Sequence, residues 1–162
     1  MWQDQPVATA RELLASDQRI AWPAPLVRFL RERSFDMALD WVFRISFELL
    51  RRTGSPHTNE LLGELDRLRR WRTDPPPTEA FFQLAEDIWY RPNRDVARTA
   101  LSHFCMDLAK VVCPDLDIGV NWLWHVPSLL CDDNFHGQPR IDLVEWSLSD
   151  FESFAARLPK RN

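Results

Sequence analysis

Apolar residues recur at three- and four-residue spacing through most of the chain, the rhythm of helices that bury one side. A first helix is predicted over residues 7–16. A second follows Pro23 and Pro25, where Leu26, Phe29 and Leu30 share a face and proline suits the opening turn. The clearest segment covers residues 34–52. There Phe35, Ala38, Leu39, Val42, Phe43, Ser46, Leu49 and Leu50 form one stripe. Trp41, Ile45 and Phe47 widen it, so this helix should touch neighbours on several sides. Along its polar edge Asp36, Asp40, Arg44, Glu48 and Arg52 stand four residues apart. The last four alternate in sign, which predicts intrahelical pairs of about 0.2–0.5 kcal/mol each. Gly54 and Pro56 end the segment.

A fourth helix is expected over residues 58–71, with Leu61, Leu62, Leu65 and Leu68 inward, and Asp74-Pro75-Pro76-Pro77 stops it. Thr78 is placed as the cap of a fifth, whose packing face carries Phe81, Phe82, Ala85, Ile88 and Trp89. After Arg91-Pro92 a sixth runs to about Cys113, burying Val96, Ala100, Leu101, Phe104, Leu108, Val111 and Val112. The pattern then changes. Ile118, Val120, Trp122, Trp124 and Val126 alternate with their neighbours, a strand signature that residues 141–148 would complete. A short helix capped by Asp117 and kinked by Pro127 is the alternative, and a terminal helix is expected from Ser149-Asp150. The fold class expected is mainly α: one domain over residues 1–162, an array of about seven helices, with a small β element admitted near residues 118–148.

Composition narrows the function classes. The chain has 162 residues, 45% hydrophobic and 27% charged, enough to bury a core without metal or disulfides. No run approaches the roughly 18 apolar residues of a membrane span, so no membrane partner is expected. Residues 1–6 lack the basic start and apolar core of a secretory signal, which predicts a cytoplasmic protein. Cys105, Cys113 and Cys131 are odd in number and lack CxxC spacing, so buried thiols are expected rather than a disulfide framework or zinc knuckle. Of 20 basic residues 18 are Arg, a bias that GC-rich bacterial coding sequences produce.

Catalytic signatures are missing from the sequence: there is no GxGxxG, GxxxxGK[ST], GxSxG or HExxH, and no cofactor is expected. His125, Cys131, Asp132, Asp133 and His136 offer ligand types that zinc or iron accept, in a spacing that fits no familiar site. They define the alternative of a metal-dependent or thiol enzyme. His103 and Asp107 are read as an exposed contact at four-residue spacing.

Charge is segregated along the chain. Residues 1–27, 28–72 and 73–162 carry net charges of −1, +3 and −6. Arg51, Arg52, Arg67, Arg69, Arg70 and Arg72 gather around one helix hairpin with Trp71, a combination suited to a protein partner or, in a second alternative, to nucleic acid. The overall charge of −4 disfavours a polyanion. The leading expectation is a non-catalytic protein-interaction domain of bacterial type, an immunity or antitoxin-like inhibitor or an adaptor, with another protein as partner and those seven residues as its binding patch.

Overall fold

The computed structural model describes residues 4–52, 55–91, 95–112, 125–128, 131 and 140–158. Among them the chain is mainly α, with seven helices of 10 residues or more: α1 (Asp4–Leu14), α2 (Ala24–Arg33), α3 (Phe35–Arg52), α4 (Thr58–Thr73), α5 (Thr78–Tyr90), α6 (Val96–Val112) and α8 (Ile141–Ala156). A 3-10 turn at Arg19–Ala21 precedes α2, and the single turn α7 spans His125–Ser128. The described residues contain no strand.

The chain divides into two compact units, residues 1–45 with 127–162, and residues 46–126. In the first, α1 packs on α2, and Ser34 joins α2 to α3 in one residue. Its extended backbone (φ −158°) breaks the helix, and its hydroxyl accepts the Met37 amide at 3.3 Å. Leu26, Leu30, Leu39, Trp41 and Phe151 are wholly buried. Phe151 of α8 centres an aromatic cluster, edge-on to Phe29 at 5.6 Å and to Trp41 at 5.8 Å. Between Ala38 and Ile45 only Asp40 and Arg44 escape burial, so the widened stripe of α3 does meet neighbours on several sides. Phe35, expected in that stripe, is instead 41% exposed, because it is the first residue after the Ser34 break.

One expectation for α8 is corrected, and α3 makes a contact beyond its own row of charges. Arg44 forks onto Asp150 of α8, donating from Nε at 2.9 Å as well as from Nη2, a long-range pair that the spacing within α3 does not contain. Glu48 does serve Arg52 within the helix at 3.1 Å. Residues 141–148, read as a second strand, open α8. Leu143, Val144, Ser147, Leu148, Phe151 and Phe154 continue one helical face, and Ser147 donates to the Leu143 carbonyl at 2.7 Å. Of the alternating run 118–126, residues 118–124 lie outside the described residues, while His125 and Val126 belong to the single helical turn α7 rather than to a strand.

In the second unit, α4 buries Leu61, Leu65 and Leu68, and α5 buries Phe81, Leu84, Ala85 and Ile88. Thr78 is the first helical residue of α5 and makes no side-chain cap, a shift of one position from its expected place. Small residues on α6 (Ala97, Ala100, Ser102, Ala109) let α5 and α4 approach it closely. The Ser102 hydroxyl donates to the Ala85 carbonyl at 2.8 Å, fixing the α5–α6 register in a buried setting. Asp95 starts α6 by accepting the Arg98 amide at 3.0 Å, and Ser55 donates to the same carboxylate. This cap was not read from the sequence, where Pro92 drew the boundary. No helix of the described residues is long and apolar enough to cross a membrane.

Candidate functional site

The aromatic arc of α5 is wider than its core needs. Phe81, Leu84, Ala85 and Ile88 point inward, which leaves Phe82, Glu86, Trp89 and Tyr90 along an adjoining stripe at three- and four-residue spacing. Across from them α6 presents Ser102, His103 and Met106. The two helices enclose a groove of about 280 Å³ whose floor is the hydrogen-bonded Ala85–Ser102 contact. Phe82, Trp89 and His103 are half-buried in its walls, and the His103 ring stands edge-on to Trp89 at 5.9 Å. Tyr90 and Met106 are left 78% and 38% exposed. Phe82 and Trp89 therefore line a solvent-facing recess, where the sequence reading had placed them with the core. Two large aromatics, an exposed tyrosine and a methionine make the walls of this recess predominantly apolar.

The arginine patch divides. Successive residues turn by about 100° along a helix, so Arg67 and Arg69 face about 160° apart. Arg69 lies with Arg51 over the half-buried Phe47 ring, at 5.2 and 5.6 Å. Arg67 contacts Glu64 at 3.5 Å on the side that Arg91, just after α5, also reaches. Trp71 follows Arg67 round and sets its ring edge-on to buried Phe81 at 5.0 Å. Four of the six arginines face acids close by: Arg51 and Arg52 on Glu48, Arg67 on Glu64 and Arg69 on Asp66. Arg70 is exposed on the outer side of α4, and Arg72 is half-buried. The structure thus joins Arg51 and Arg69 over Phe47, sets Arg52 beside Arg51 on Glu48, and places Arg67 and Trp71 elsewhere. Much of the charge is answered internally, which weakens a polyanion reading.

Of the late cluster, His125 opens α7 and Cys131 is buried, while Asp132, Asp133 and His136 lie outside the described residues. Among the described residues no group of three His, Cys, Asp or Glu side chains is placed to hold a metal. Asp107, expected at an exposed contact with His103, is buried on α6 at 4% exposure. The helix turns it toward the interior, where sequence spacing alone had set it in solvent.

Cys105 is wholly buried, and its thiol pKa is raised far above the usual range. Burial is the main cause, with the negative charges of Glu64 and Asp107 adding to it. A thiol held protonated and out of water is a poor nucleophile. Iodoacetamide is expected to leave Cys105 unmodified in the native chain and to label it fully in denaturant, as read by peptide mapping. Native labelling at the rate of an exposed thiol would contradict this burial.

Compared with protein-family models, curated proteins and solved structures, the chain matches none of them. Function therefore has to be argued from the site itself. The groove was legible only in part, its one sequence signal being that the aromatics of α5 spread over more than one helix face.

Proposed function

We propose that this chain is a non-catalytic protein-interaction module whose docking face is the α5–α6 groove. The observation that carries the reading is the solvent-facing recess in which Phe82 and Trp89 are joined by exposed Tyr90 and Met106. Isolated exposed apolar residues are ordinary, but a concave group of large, rigid side chains beside a hydrogen-bonded floor has the form of an interface hot spot. A cytoplasmic inhibitor or adaptor of bacterial type is the role this favours. The absence of catalytic motifs and the buried, protonated Cys105 support it. Arg51 and Arg69 over Phe47, with Arg52 sharing Glu48 with Arg51, belong to the same reading as a flank rather than the centre, since their charges are largely paired on the chain itself.

The test is recovery of the tagged chain from its native cells beside a Tyr90→Ser/Met106→Gln variant, with companions identified by mass spectrometry. A stoichiometric protein that accompanies the wild type and is lost at least tenfold from the variant is the expected outcome. Equal recovery by both would remove the groove from the proposal. If Arg51→Glu/Arg69→Glu alone released the companion, the face would move to Phe47. No companion at all would end the interaction reading.

A further inference from the structure

The groove has a polarity of its own. Helix α5 carries no Lys or Arg between Thr78 and Tyr90, though basic residues number 20 in the chain, and it carries Glu79, Glu86 and Asp87. Asp87 is answered by Arg91 at 2.6 Å. Glu79 and Glu86 are both exposed, and among the described residues neither has an ion-pair partner. Elsewhere Glu48, Glu64, Asp66, Glu145 and Asp150 are each met by an arginine.

Seven residues make nearly two full turns, so Glu79 and Glu86 stand on one side of α5 about 10 Å apart along the axis. Phe82 falls between them, and Trp89 and Tyr90 follow Glu86 by three and four residues. The stripe reads acid, aromatic, acid, aromatic over about 16 Å, three helical turns. Its complement is a helix that offers an apolar anchor to the recess and a basic residue two turns from another basic residue.

We infer that the groove takes a basic amphipathic helix of a partner protein, with Lys or Arg set against Glu79 and Glu86 and an apolar side chain lodged by Phe82, Trp89 and Met106. This rests on the groove being the docking face, and it adds the chemistry of the occupant. Helix-in-groove recognition reads such anchors at three-, four- and seven-residue intervals. The carboxylates contribute orientation and association rate more than raw affinity, because exposed pairs are screened by salt. The same two carboxylates repel an acidic helix or a nucleic acid strand from this face.

The experiment is fluorescence anisotropy of a labelled Leu/Lys amphipathic peptide of about 18 residues, long enough to form a helix on binding, with its Leu/Glu counterpart as control. Wild-type chain is compared with Glu79→Gln/Glu86→Gln and with Tyr90→Ser/Met106→Gln, circular dichroism confirming that each variant is folded. The basic peptide is expected to bind wild type, to lose about three- to fivefold in affinity and most of its salt dependence with the charge variant, and to lose at least tenfold with the groove variant. The acidic peptide is expected not to bind. If both peptides bind alike and only the groove variant weakens them, the docking face stands and the basic occupant is wrong. If the charge variant matters and the groove variant does not, attraction is diffuse and the inference falls. Absence of binding, or indifference to both variants, overturns it together with the groove itself.

Discussion

Replacing Trp41 by alanine is expected to destabilise the chain by about 3–5 kcal/mol, seen as a lowered urea midpoint by circular dichroism. Trp41 is wholly buried in α3 and lies edge-on to Phe151, which in turn meets Phe29. Alanine removes the ring, opens a cavity at the centre of the aromatic cluster and leaves Phe151 without one of its two edge-on aromatic contacts among the described residues. The indole Nε1 has no hydrogen-bond partner among the described residues. Phenylalanine at the same position therefore gives up no bond and removes an unpaired buried donor, which offsets part of the lost volume. Trp41→Phe is expected to lie within about 1.5 kcal/mol of wild type, the range of tolerated apolar exchanges. An alanine variant as stable as wild type would show that this cluster is not the core of its unit.

Arg91→Ala is expected to cost about 2–3 kcal/mol by the same measurement. Arg91, the extended residue just after α5, bonds to Glu60 and Glu64 of α4 and to Asp87 of α5, with Asp87 at 2.6 Å and Glu64 at 3.4 Å. Burial works against its charge, yet Asp87, Glu60 and Glu64 together hold its pKa above the usual value. Without it Glu60, Glu64 and Asp87 lose their shared cation, and Glu64, only 13% exposed, keeps Arg67 at 3.5 Å but has little water to compensate. Lysine supplies a point charge but no fork to meet acids from two helices, so Arg91→Lys should recover about half of the loss. The Arg11–Glu145 pair is the contrast. Both side chains are half exposed, and such a pair contributes about 0–1 kcal/mol however well it is formed. A loss at Arg91 no larger than that would reduce the α4–α5 clasp to surface decoration.

The helical class and most helix limits were legible because burial on one side of a helix writes itself into the spacing of apolar residues. Proline and glycine marked the ends of α3 and α4 for the same local reason. Residues 141–148 were misread because eight residues of mixed apolar character satisfy either period, and only their continuation through Phe151 and Phe154 decides for helix. The run Arg67 to Arg72 illustrates a different limit. Neighbours in sequence are 100° apart on a helix, so a dense charge run scatters around the axis unless its spacing is three or four. Arg69 accordingly joins Arg51 over Phe47, while Arg67 turns toward Glu64.

What the chain alone determined is therefore local: a mainly α fold and the buried stripe of α3. Which acid Arg44 would meet on another helix, that Asp107 would be shut from water, and that Phe82, Trp89, Tyr90 and Met106 would face one recess were settled only when helices distant in sequence came together. Periodicity records which side of a helix avoids water. It carries no term for which other helix arrives there, and a groove exists only between two of them.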